Sequence, residues 1–163
     1  MLDDDIHIKK IEYVSDDFHA RFNVLKKVYI YKLNIGEYDP LTRNYIYQYN
    51  WYLNIDKMVK ALKYLKGNHN FKSVTKTNKE QKDYNRIIYD IDLKVKDNIV
   101  TIKFIGNGFM RYMVRNMVGL LIAVGEEKIK PSDIKNILEK EDRIFAKRTA
   151  PAEGLYLADV YYE

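Results

Sequence analysis

The hydrophobic and polar positions change period several times along the chain. Residues 27–34 (KVYIYKLN) alternate β-branched and aromatic side chains with polar ones and read as a strand. Residues 36–44, carrying Asp39-Pro40, read as a turn, and residues 45–49 as a short edge strand. In residues 55–66 the apolar residues Ile55, Met58, Val59, Leu62 and Leu65 recur at helical spacing, while Lys57, Lys60 and Lys63 lie off that stripe. Asn54 is the expected N-cap and Gly67 the expected stop. Residues 68–85 are polar and read as a loop. Residues 87–95 and 99–104 alternate again on either side of Asp97-Asn98, a hairpin signal. Residues 109–124 (FMRYMVRNMVGLLIAV) are apolar almost all round and long enough for a buried helix. Pro131 opens a short helix carrying Ile134, Ile137 and Leu138, and residues 155–162 (LYLADVYY) alternate as a closing strand. Residues 1–17, with acidic clusters at Asp3-Asp4-Asp5 and Asp16-Asp17, read as an entering connector.

The order β-α-β-β-α-(α)-β predicts an α+β domain: an antiparallel sheet with helices on one face, in the ferredoxin-like split βαβ arrangement. The opposite sheet face is left for a partner, a second domain or RNA to cover. At 163 residues one domain is expected, large enough to fold without cross-links. Having no cysteine excludes disulfides, Cys-zinc sites, iron–sulfur clusters and thiol nucleophiles, and three scattered histidines argue against a metal site. No uncharged apolar run reaches the roughly 18 residues of a membrane span, and the start MLDDDIHIKK is unlike a signal peptide. A soluble intracellular protein is the expectation. A net charge of +5 and 15 tyrosines fit binding of single-stranded or loop RNA, but AT-rich coding inflates Lys, Ile, Asn and Tyr together.

Among residues that could carry chemistry, Arg115 stands out. It lies inside the most apolar helix, with Arg111 one turn earlier on the same face. A buried charge costs several kcal/mol unless it is paired. Either that face is solvated or paired structurally, or Arg115 awaits a catalytic carboxylate or a phosphate; the residues alone leave these alternatives level. Tyr29 and Tyr31 share one sheet face, as core or as a stacking platform. The cluster FHARF before the first strand reads as packing with a salt bridge, and the small-residue loop 148–155 as a turn or a close backbone approach.

Four segments carry a resemblance: DFHARF (17–22), KVYIY (27–31), GFMRYMVRNMVG (108–119) and RTAPAEGLYL (148–157). In that order and spacing they resemble the TruA family of tRNA pseudouridine synthases over almost the whole chain. GNHNFKSV (67–74) is similar to a further family segment, with Val74 where an aromatic is usual. The resemblance implies isomerisation of uridine to pseudouridine in the tRNA anticodon stem-loop (positions 38–40), without cofactor or metal, by a cytoplasmic homodimer. It implies that Tyr29 stacks on the target base, that Arg115 pairs with the catalytic aspartate and that Leu155 lines the uracil pocket. Arg21, Lys27, Arg111 and Arg148 flank these motifs and are candidate contacts to RNA phosphates.

The family's catalytic aspartate lies in an N-terminal segment like GRTDxGVHA, and none of the fourteen Asp here has that context. The expectation is therefore a C-terminal domain, residues 18–163, entered by the connector 1–17. The catalytic N-terminal half would be missing and the chain alone inactive. The alternatives are an RNA-binding module, although the RRM aromatic signature is absent, and an assembly domain.

Overall fold

In a computed structural model, described here for residues 2–76 and 82–162, six strands form one sheet. The strands are β1 (Val24–Asn34), β2 (Tyr47–Gln48), β3 (Gly67–Asn70), β4 (Asn85–Lys96), β5 (Ile99–Gly106) and β6 (Leu155–Tyr162). The helices are α1 (Ile55–Leu62), α2 (Met113–Gly125) and α3 (Asp133–Glu139). Along the sheet the order is β2-β1-β5-β4-β3, and β6 pairs with β1 on the same side as β2. The four long strands thus run β6-β1-β5-β4, each antiparallel to its neighbour; only β2 is parallel to β1. The helices cover one face.

The sequence explains most of these elements. Asn54 caps α1, its side chain accepting from the Lys57 N–H at 3.1 Å. Asp97 and Asn98 both take positive φ, 51° and 61°, the left-handed pair that a two-residue hairpin turn requires. All of α2 is buried except Arg115 and Ala123. Its apolar surface packs on Tyr31, Leu33, Ile102 and Phe104 of the sheet and on Met58 and Ala61 of α1, forming one core.

Three expectations are corrected. The polar stretch 68–85 is not a loop throughout: Gly67–Asn70 pair with Asn85–Ile88 as an edge strand, and Lys72–Val74 form a 3-10 turn. Backbone pairing to β4 needs no apolar pattern on an edge. The positions 77–81 of that stretch lie outside the described residues. Gly67 does not stop α1; the helix ends at Leu62, and Gly67 opens β3 at φ 109°. The third concerns α2, which starts at Met113 rather than Phe109. Tyr112 takes φ 64° before it, so Arg111 lies outside the helix and shares no helical face with Arg115.

Two packing details shape what lies above the sheet. A Cβ on Gly119 would lie 2.2 Å from the Arg148 carbonyl oxygen, so only glycine lets segment 148–150 run this close to α2. In β6 the register to β1 shifts: Val28 pairs with Asp159 and Tyr29 with Leu157, leaving Ala158 as a bulge beside Tyr29. A bulge of this kind re-aims neighbouring side chains.

Candidate active-site cleft

Tyr29, Arg115 and Leu155 come from three different elements and line one cleft of about 330 Å³. Phe109, Met110, Arg111, Tyr112, Met113 and Val114 complete its walls. β1 presents Tyr29 two residues before Tyr31, and the two separate cleanly. Tyr31 is fully buried and donates its hydroxyl to the Pro151 carbonyl at 2.7 Å, which makes it core. Tyr29 is half-buried, meets Phe109 edge-to-face with 5.0 Å between ring centroids, and keeps a surface on the cleft. Burial raises the Tyr29 hydroxyl above its ordinary value, so the ring is a neutral phenol throughout the physiological range.

Arg115 is held from both ends. Its Nε donates to the Ala150 carbonyl at 2.6 Å, while the Ala150 N–H donates to the Arg115 carbonyl at 3.0 Å. The guanidinium carbon lies 4.9 Å from the Tyr112 ring centroid. Among the described residues no carboxylate lies within salt-bridge distance of Arg115, and neither Nη group has a hydrogen-bond partner. With Nε committed, the two Nη groups remain as a planar fork that matches a carboxylate. Leu155 is half-buried beside them, paired in register with Tyr31, and supplies an apolar wall.

The four candidate phosphate contacts are not brought together. Arg111 lines the cleft and is exposed. Arg21 is exposed before β1, its guanidinium 5.6 Å from the Phe22 ring centroid. Lys27 is half-buried on β1, opposite Gly106 and Val160. Arg148 lies elsewhere: it pairs with Glu126 at 2.5 Å, donates to the Tyr47 hydroxyl at 3.1 Å and stacks over Tyr49. That arrangement is a structural clamp between the 148–150 segment and the end of α2.

The sequence reading passed over Phe109, Met110 and Tyr112, although all lie within the quoted GFMRYM segment. It also passed over Asn116, a fully buried amide next to Arg115 that donates to the Val74 carbonyl at 2.7 Å. Its signal was a polar residue inside the most apolar helix. Among the described residues no three His, Cys, Asp or Glu side chains converge as metal ligands, and no helix is long and apolar enough to cross a membrane.

The family model described as tRNA pseudouridine synthase matches residues 61–163, which include Arg115, Leu155 and most of the cleft wall. The chain belongs to the tRNA pseudouridine synthase family. The chain is 43% identical over 163 residues to tRNA pseudouridine synthase A 1 of Bacillus cereus, covering 99% of this chain and 66% of that protein. To tRNA pseudouridine synthase A of Bacillus subtilis it is 40% identical over 164 residues, covering 100% of this chain and 66% of the relative. A Limosilactobacillus reuteri tRNA pseudouridine synthase A is 40% identical over 161 residues, 97% of this chain and 63% of its own. The chain therefore spans just under two thirds of these synthases, and the cleft belongs to that part.

Proposed function

We propose that this chain supplies the base-binding and carboxylate-orienting side of a tRNA pseudouridine synthase, acting on uridine in the anticodon stem-loop. The observation that carries this reading is the uncommitted Arg115 fork beside Tyr29 and Leu155 in one cleft. In the isomerisation the N1–C1′ bond breaks, a C5–C1′ bond forms, the proton on C5 leaves to solvent and N1 takes one up. Each of the three residues has a task in that sequence. Tyr29 offers a ring for the flipped uracil, offsetting the stacking lost on leaving the RNA. Arg115 holds a nucleophilic carboxylate ionised and aimed. Leu155 excludes water while the base is detached.

On this reading the carboxylate comes from residues outside this chain, in the third of the relatives that the chain does not span. The strand order β6-β1-β5-β4 is then the ferredoxin-like half of a pseudouridine synthase sheet, with residues 1–17 as the connector. The working protein is a homo-oligomer that needs neither metal nor cofactor. A stacking module without catalysis fits less well, because it has no use for a cation held in an apolar helix and left without a carboxylate.

Tritium release from tRNA carrying 5-tritiated uridine tests this. The chain alone is expected to release nothing, and turnover is expected once the missing part is supplied in trans or by fusion. Turnover by the chain alone would contradict the assignment of the nucleophile.

A further inference from the structure

A second cleft, of about 310 Å³, is lined by Lys76, Tyr112, Asn116, Arg143 and Thr149. Tyr112 is common to the walls of both clefts. Arg143 is half-buried, and burial pulls its guanidinium below the ordinary value. One of its groups is fixed: Nη2 donates to Asn116 Oδ1 at 2.9 Å and to Thr149 Oγ1 at 2.7 Å. Asn116 is anchored in turn by Val74 and by the Thr149 hydroxyl, so the guanidinium is held rigidly at the cleft wall. Its Nε and Nη1 make no hydrogen bond among the described residues.

Three cations therefore lie over one ring, and a fourth shares its cleft. Lys76, Arg111 and Arg115 lie 5.8, 5.4 and 4.9 Å from the Tyr112 centroid, and Arg143 lines the same wall. Among the described residues none of the four has a carboxylate within 4.0 Å. Like charges gathered without a counter-charge among the described residues repel one another. One carboxylate at Arg115 offsets only one of the four. The remainder calls for negative charge spread along a path, which is what a nucleic-acid backbone offers.

We infer that the Lys76–Arg143 cleft binds a backbone phosphate of the RNA next to the nucleotide whose base enters the Tyr29 cleft. Tyr112 is shared by the two clefts, and Arg143, fixed by Asn116 and Thr149, sets the register between base and phosphate. This rests on the tRNA reading above but assigns a contact that reading does not need.

The test measures binding of a uridine-containing RNA stem-loop to the chain across a KCl series, for the unsubstituted chain, Lys76→Gln, Arg143→Gln and Arg143→Lys. Lys60→Gln, at an exposed position on α1, serves as control. Loss of one phosphate contact is expected to weaken binding about fourfold at 0.15 M salt and to lower the slope of log K against log salt by about 0.7. Lys76→Gln and Arg143→Gln should each do so, Arg143→Lys should restore the slope, and Lys60→Gln should change neither. Lys76 is exposed, so its substitution reads out binding even where Arg143→Gln unfolds the chain. Replacing loop phosphates singly by uncharged methylphosphonates should reveal one position at which unsubstituted chain and Lys76→Gln bind alike. If the chain binds the stem-loop and Lys76→Gln leaves affinity and slope unchanged, the inference is overturned while the tRNA reading stands. The cations would then face protein carboxylates. If the unsubstituted chain binds the stem-loop neither alone nor with the missing part supplied, the tRNA reading itself fails.

Discussion

Arg115 and Ala150 exchange two hydrogen bonds, one from backbone to backbone and one from the Arg115 Nε to the Ala150 carbonyl. This double link ties the catalytic candidate on α2 to the loop that leads into Leu155. It fixes the direction of the guanidinium fork. Arg115→Lys keeps a charge but cannot hold Ala150 and a carboxylate in one plane. In a protein that also carries the proposed nucleophile, Arg115→Lys is expected to cut kcat at least about 100-fold. Its stability should fall by only about 1 kcal/mol in urea unfolding.

Gly119 makes that link possible. Gly119→Ala would put a methyl group 2.2 Å from the Arg148 carbonyl oxygen, and the obstacle is backbone rather than a flexible side chain. Segment 148–150 must then move away from α2. The expected cost is about 2–3 kcal/mol in denaturant unfolding. Binding of uridine-containing RNA should weaken as well, since Leu155 follows that segment.

At Tyr29 the ring and the hydroxyl have separable roles. Tyr29→Phe keeps the face available to a flipped base, whereas Tyr29→Ala removes about 1–3 kcal/mol of stacking. In a protein that also carries the proposed nucleophile, KM for the stem-loop substrate should rise with Tyr29→Ala and stay within a few-fold with Tyr29→Phe. Equal losses in the two variants would assign the work to the hydroxyl instead.

Glu126 sets a pH dependence of stability. Burial alone would raise its carboxyl, but hydrogen bonds from Lys128, Tyr49 and Arg148 outweigh it and hold the group below 4.5. A carboxyl with a depressed folded-state value contributes stability that is full above its unfolded value. That stability is lost as pH falls through the folded one. Glu126→Gln should therefore lower Tm at pH 7, by an amount equivalent to about 2 kcal/mol, and the difference from the unsubstituted chain should shrink steadily below about pH 4. A Tm difference that does not vary with pH would remove the ionised carboxylate from the account.

How much of this could be read from the residues follows from what each element depends on. The hairpin at Asp97-Asn98 and the N-cap at Asn54 are local, and both appear where the sequence places them. β3 depends on a pairing with β4 that no local pattern announces, and the start of α2 depends on a left-handed Tyr112 that sequence does not single out. Arg115 was conspicuous because a charge interrupts an apolar run. Arg143 was not, because its environment depends on Asn116 of α2, 27 residues away, together with the nearby Thr149. Arg148, equally basic and close to a motif, turned out to be clamped by Glu126.

The central claim is that Arg115 waits in the cleft for a catalytic carboxylate. Measuring tritium release and RNA affinity side by side for Arg115→Ala in the completed protein tests it most directly. The account predicts that turnover falls at least about 100-fold while stem-loop affinity changes less than about fivefold. Turnover of the folded fraction left intact, with only stability reduced, would contradict it and make Arg115 a structural residue.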